Sequence, residues 1–103
     1  MNNHDFGLKA GDLEQIIGVI SQFSVAEAII FGSRAKGTYK NGSDIDLALK
    51  GECLDNTIVR QISYQLNEEL NLPYMFDVLN YHTLTNPALI EHIDRVGKSI
   101  YTA

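Results

Sequence analysis

The stretch FGSRAKGTYKNGSDIDLAL, residues 31–49, places a Gly32-Ser33 pair ten residues ahead of two aspartates, Asp44 and Asp46, that bracket one isoleucine. Side chains alternate across a strand, so Asp44 and Asp46 point one way while Ile45 and Leu47 point the other. A third aspartate, Asp77, stands inside the apolar run YMFDVLN (residues 74–80), between Phe76 and Val78. If the two runs are neighbouring strands, three carboxylates converge on one sheet face. Like charges that close are unfavourable, so such a cluster takes up a proton or holds a cation. Hard oxygen ligands with open positions suit Mg²⁺, which takes one or two carboxylates and completes its shell with phosphate oxygens and water. Two such ions a few ångströms apart would make a site for phosphoryl or nucleotidyl transfer.

Gly32-Ser33 supplies the complementary half. Glycine lets backbone approach a phosphate closely, the free N–H groups of a helix start attract anions, and the Ser33 hydroxyl adds a donor. Arg34 follows, placed to pair with phosphate oxygens as a fork. Each feature alone has a plainer reading. Gly-Ser after a strand is commonly a capped turn. Asp-x-Asp is often a solvated strand end. Asp77 could be an edge acid facing water, and Arg34 and Lys36 ordinary surface charges. The spacing and context raise the combination, since the Gly-Ser pair follows a strand and each acid lies in one.

The elements that must position these residues follow from periodicity. Leu13, Ile16, Ile17, Ile20 and Phe23 keep helical spacing and predict a first helix over about residues 11–22, with Asp12 and Glu14 at its positive end. Residues 25–31 read as a buried strand, and Ser33 as the N-cap of one short turn. Asn41-Gly42 signals a turn in the loop that follows. Residues 45–50 form a second strand. Ile58, Ile62, Leu66 and Leu70 give a second long helix over 55–71, capped by Asp55 or Asn56, exposing Glu68 and Glu69, and ended by Leu72-Pro73. Residues 74–80 form a third strand. Pro87 opens a last helix over about 86–95, with Leu89, Ile90 and Ile93 facing inward and Gly97 stopping it. Ser99-Ile100-Tyr101 is a short extended tail. The expected fold is α/β (α+β): a small mixed three-stranded sheet with helices packed on one face and the other face partly open.

Composition bounds the rest. The 103 residues make one small domain, 1–103, with the polar residues 1–7 expected to fray. A hydrophobic fraction of 45% supports one core, and a domain this small readily leaves a face for a partner subunit, as a homo- or hetero-oligomer. Acids outnumber bases 13 to 8, for a net charge of −5. Without a basic block no direct nucleic-acid binding is expected. No apolar stretch approaches the roughly 20 residues of a membrane span. A single cysteine, Cys53, and an N-terminus without signal-peptide pattern imply a cytoplasmic setting. His82 and His92 have no partner at metal-ligand spacing and read as surface or packing residues.

Gly32-Ser33, ten residues and Asp44-x-Asp46, with Asp77 in the next apolar strand, resemble the signature of the DNA polymerase β-like nucleotidyltransferase superfamily. The string FGSRAKG…SDIDLAL with the final LIEHIDRVGKSIY is similar to its minimal nucleotidyltransferases (MNT), over about residues 8–103. The resemblance implies two Mg²⁺ ions on Asp44, Asp46 and Asp77, with Asp77 also helping to deprotonate the acceptor. It implies a nucleoside triphosphate, ATP or another NTP, bound at Gly32 and Ser33, with Arg34 as a further nucleotide contact. The reaction would move a nucleoside monophosphate to an acceptor hydroxyl and release pyrophosphate. Larger members carry extra domains that grip the acceptor, and nothing after Tyr101 would do so here. Minimal members resemble half of a two-gene unit, whose other half is a helical HEPN-type protein encoded by a neighbouring gene, often an RNA-cutting toxin. The resemblance thus implies an antitoxin that adds AMP to a tyrosine of that partner. Two alternatives stay open: a non-catalytic module that neutralises the partner by contact, and transfer to a small molecule.

Overall fold

A computed structural model of the chain describes residues 6–40 and 42–103. Residues 1–5 of the segment expected to fray, and Asn41 of the expected turn, lie outside the described residues. Phe6 departs from that expectation: it is buried, because its ring joins the main core. The elements run α1 (Asp12–Ile20), β1 (Glu27–Phe31), α2 (Ser33–Lys36), β2 (Ile45–Lys50), α3 (Asn56–Tyr64), β3 (Phe76–Asn80), α4 (Pro87–Val96) and β4 (Lys98–Thr102). A π-helical turn, Gln65–Glu69, extends α3, and a 3₁₀ turn, Tyr81–Thr83, follows β3.

The strands form one mixed sheet in the order β3-β2-β1-β4. β1 pairs antiparallel with both β2 and β4, and β2 pairs parallel with β3. The expected α/β architecture holds, with two corrections. The sheet has four strands: the tail read as merely extended is β4, which pairs Ala28 with Tyr101 and Glu27 with Thr102. β1 requires it, since its apolar residues fill both sheet faces and a strand so placed needs partners on both sides. The exposed Lys98 and Ser99 suit β4 to the edge.

The second correction concerns the layers. α1 and α3 cover one face, where Ile16, Ile20, Ile62 and Leu66 meet Ile30, Ile45, Leu47 and Leu49. α4 does not join them. It lies on the opposite face, where Ile93 is buried with Ile29, Phe31 and Ala48. Gly97 lets the chain turn tightly from α4 into β4, because a Cβ there would strike Ile29 and the Ile93 carbonyl. The cap expected at Asp55 is observed, and Asn86 caps α4. The Asp55 carboxylate accepts from the Ile58 N–H at 2.9 Å, and the Asn86 side chain accepts from the Ala88 and Leu89 N–H groups at 2.9 and 3.2 Å, satisfying donors no helical carbonyl can reach. Among the described residues no helix is long and apolar enough to cross a membrane.

Among the described residues nine large aliphatic side chains are less than 2% exposed. Burying each stabilises by about 1.5–3 kcal/mol. Two charges 4 Å apart in water repel by only about 1 kcal/mol. The core can therefore carry a cluster of acids at one end of its sheet.

Candidate active site

That end is where β1 finishes and β2 and β3 begin. Phe31 stands opposite Asp46 in the antiparallel register, and Asp46 opposite Asp77 in the parallel one. Phe31, Asp46 and Asp77 thus occupy one rung and share one face, on strands about 4.8 Å apart. Asp44, two residues before Asp46, shares that face at the mouth of β2. Asp44 and Asp77 are exposed and Asp46 is half-buried. α4 covers the same face further along, around Ile29 and Ala48, and leaves the acidic rung at its margin.

Gly32 carries the chain from β1 into α2. Its backbone, at φ 76° and ψ −154°, occupies a region essentially reserved for glycine. A Cβ at this position would run into the Asp46 carboxylate. The turn and the acid therefore lie directly against one another, although fourteen positions separate them in the numbering. Ser33 was expected to cap α2, but it is the first helical residue and Gly32 holds the cap position. The reason is steric, since only glycine can make the turn there. Gly32→Ala is expected to destabilise the fold by about 1–3 kcal/mol of backbone strain and to displace Asp46. Denaturant unfolding beside a transfer assay would register both losses.

Burial raises the Asp46 pKa above the usual 3.8, Asp77 and then Asp44 raise it further, and His92 on α4 acts in the opposite direction. The two ion pairs among the described residues, Lys50–Glu27 and Arg95–Glu91, leave all three aspartates out. A raised carboxyl pKa means that the folded chain holds a proton the unfolded chain has released. Asp46 therefore contributes stability below its folded pKa, and that contribution is lost as pH rises from 3.8 through the folded value. In a metal-free pH series, Asp46→Asn should remove this falling component. Its thermal midpoint relative to the unmodified chain should climb through that window and stay higher at neutral pH.

Among the described residues no three His, Cys, Asp or Glu side chains, the expected set of Asp44, Asp46 and Asp77 included, are gathered closely enough to hold a metal ion among themselves. The donor set is instead an open rung of carboxylate oxygens beside bare glycine backbone. It fits a hard cation that takes one or two carboxylates and finds its other ligands on phosphate and water.

Arg34 is not part of this arrangement. It was expected to face solvent and phosphate, yet it is only 4% exposed. Its Nε and Nη2 donate to the Ser43 carbonyl at 3.0 and 2.8 Å, and its Nη1 donates to the Phe6 carbonyl at 2.8 Å. The guanidinium also lies over the Tyr39 and Tyr74 rings, with centroids 5.4 and 5.1 Å away. The Tyr74 hydroxyl in turn donates to Asp12 at 2.7 Å. Arg34 thus clamps the loop that leads into Asp44, and its fork is committed to main-chain oxygens.

His92 has the packing role read for it, its ring meeting Phe31 edge-on at 6.1 Å, but sequence reasoning did not foresee that it also acts electrostatically on Asp46. Placing α4 on the acidic face would have revealed it. His82 keeps a local role, its Nε2 accepting from the Gly51 N–H at 3.2 Å, and Cys53 is an exposed free thiol.

A mixed sheet that aligns two carboxylates on parallel strands beside a glycine-led turn has the form of a nucleotidyltransferase. Residues 14–103 match the family described as Polymerase beta, Nucleotidyltransferase, and the chain belongs to that family. Solved structures agree on the fold. A chain of a toxin–antitoxin crystal structure with AMP-PNP superposes with a TM-score of 0.73, at 22% identity, covering 88% of this chain and 73% of that one. A chain from the complex of tri-AMPylated Shewanella oneidensis HEPN toxin with its MNT antitoxin gives 0.66 at 19% identity, over 89% and 71%. A Sulfolobus solfataricus protein described by its fold class as a nucleotidyltransferase gives 0.52 at 23% identity, over 87% and 76%. No curated protein sequence matches the chain.

Proposed function

We propose that this nucleotidyltransferase is a Mg²⁺-dependent protein adenylyltransferase of the cytoplasm. It moves AMP from ATP to a tyrosine of a HEPN-type helical partner and so acts as that partner's antitoxin. The observation that carries the reading is the rung joining Asp46 and Asp77, set against the Gly32 turn. The partner and the nucleotide are supported by likeness of fold to a toxin–antitoxin pair with AMP-PNP and to an AMPylated HEPN toxin with its MNT antitoxin.

Charge dictates how the parts work. A triphosphate would be repelled by three aspartates on a chain of net charge −5, so a divalent ion must come between them. Asp44 and Asp46 would hold the ions from β2, and Asp77 would complete the set from β3. Bound Mg²⁺ supplies neutralisation of the phosphate charge. Gly32 leaves its backbone bare for the terminal phosphates, and the Ser33 hydroxyl donates to them. The acceptor oxygen attacks the α-phosphorus and the bond to pyrophosphate breaks, while Asp77 takes the acceptor's proton.

The test incubates the chain with ATP, Mg²⁺ and the HEPN-type protein encoded beside it. Intact-mass spectrometry should show AMP on the partner, and the variant carrying Asp44→Asn and Asp46→Asn should add none. Absence of transfer between two folded proteins would overturn the acceptor. Full neutralisation of the partner by the double variant would show that contact suffices.

A further inference from the structure

β3 is an edge strand, and the residue before Asp77 is held in an unusual way. The Met75 carbonyl accepts from the Ile45 N–H at 2.8 Å, so Met75 turns its carbonyl toward β2. Polar groups alternate along a strand, and the Phe76 N–H and C=O point outward, where no strand follows. Both are nonetheless satisfied by one side chain. Asn67 accepts from the Phe76 N–H through Oδ1 at 2.7 Å and donates through Nδ2 to the Phe76 carbonyl at 3.1 Å. The same Nδ2 also lies 3.0 Å from the Ser63 carbonyl and 3.2 Å from its hydroxyl. A carboxamide has one acceptor and two donors in a plane, and here it imitates the missing strand.

The π-helical turn makes this possible. Asn67 sits at the middle of Gln65–Glu69, where the Leu70 N–H reaches back five residues to the Gln65 carbonyl at 3.0 Å. A wider turn rotates side chains away from the regular helical stripe, and such turns often mark functional positions. Pinning Phe76 from outside fixes the backbone that enters Asp77, while the Asp46 rung fixes it from inside.

We propose that Asn67 is a positioning residue for the acidic rung: by bracketing the Phe76 backbone it holds Asp77 in the place where it serves as an ion ligand. The inference rests on the metal-holding role proposed for Asp77. It adds a dedicated support outside the ligand set, of the kind whose loss typically weakens metal affinity by about 10–100-fold.

The experiment measures Mn²⁺ binding by calorimetry in the presence of AMP-PNP, for the unmodified chain, Asn67→Ala and Ser63→Ala. Asn67→Ala should bind about tenfold more weakly. Ser63→Ala removes only the hydroxyl contact and should stay within about twofold, since a single neutral hydrogen bond contributes little. Coupling is reciprocal, so Mn²⁺ with AMP-PNP should slow amide exchange at Phe76 in the unmodified chain about tenfold. That measurement decides the matter if Asn67→Ala does not fold. Tight Mn²⁺ binding by the unmodified chain, with a folded Asn67→Ala variant within twofold of it, would overturn the positioning role alone. An unchanged Phe76 exchange rate in the unmodified chain on tight Mn²⁺ binding would do the same. An unmodified chain that binds no Mn²⁺ would overturn this inference together with the metal reading beneath it.

Discussion

Asp77→Asn is expected to lower nucleotidyl transfer by about a thousandfold and to leave the fold intact. Asparagine matches aspartate in size, and the position is exposed, so no cavity or clash arises. What disappears is one of the two charges that face each other across the β2–β3 rung. An ion ligand contributes several kcal/mol of charge stabilisation in the transition state, and a loss of about 4 kcal/mol corresponds to three decades in rate. Stability should move the other way. After burial, the Asp77 charge does most to raise the pKa of Asp46, so its neutralisation removes a repulsion from the metal-free protein and the thermal midpoint should stay level or rise. Rates at saturating Mg²⁺ and ATP, paired with metal-free thermal unfolding, check both halves. A variant inactive only because it unfolds would make Asp77 a structural residue.

Arg34→Ala should show the converse pattern, a large loss of stability with chemistry affected only through folding. Three donated hydrogen bonds tie the guanidinium to the Phe6 and Ser43 carbonyls. Bonds from a charged donor contribute about 1.5–3 kcal/mol each, and they are not additive. Each flanking tyrosine adds about 0.5–1 kcal/mol. A net loss of about 3–5 kcal/mol is expected, against a total of about 5–15 kcal/mol for a natural domain. Arg34→Lys keeps the charge but cannot reach both carbonyls in the plane of a fork, and should lose about half as much. Urea unfolding gives the stabilities, and the KM for ATP gives the contrast. If the lysine variant keeps its stability while that KM rises tenfold or more, Arg34 grips phosphate after all.

Much of the candidate site could be read before any coordinates, and the reasons are local. Alternation along a strand is strict, so the side shared by Asp44 and Asp46 follows from their spacing alone. The Gly32 turn announced itself because β-branched and aromatic residues stop abruptly at it. Arg34 could not be read correctly, because its partners are the carbonyls of Phe6 and Ser43, and a carbonyl has no residue identity. Asn67 was hidden for a similar reason. Its role depends on a widened turn, and QLNEE continues a helical pattern without announcing one. The layer of α4 escaped because Leu89 and Ile93 show that a helix has an apolar face but not which sheet face receives it. β4 escaped because five residues with exposed Lys98 and Ser99 carry too little alternation to reveal a strand.

The parallel pairing of β2 with β3 also bears on how the molecule assembles. Antiparallel neighbours can zip outward from a short loop, whereas parallel ones must wait for a crossover, here α3 with its π-helical extension. Pairing of this non-local kind is entropically slow. If it follows the barrier, Asp46 and Asp77 meet only on the downhill side, and their mutual repulsion is absent from the transition state. Relieving it with Asp77→Asn should then leave the refolding limb of a chevron plot where it is and slow the unfolding limb. The two aspartates would set how long the folded molecule lasts, while the aliphatic core sets how fast it forms.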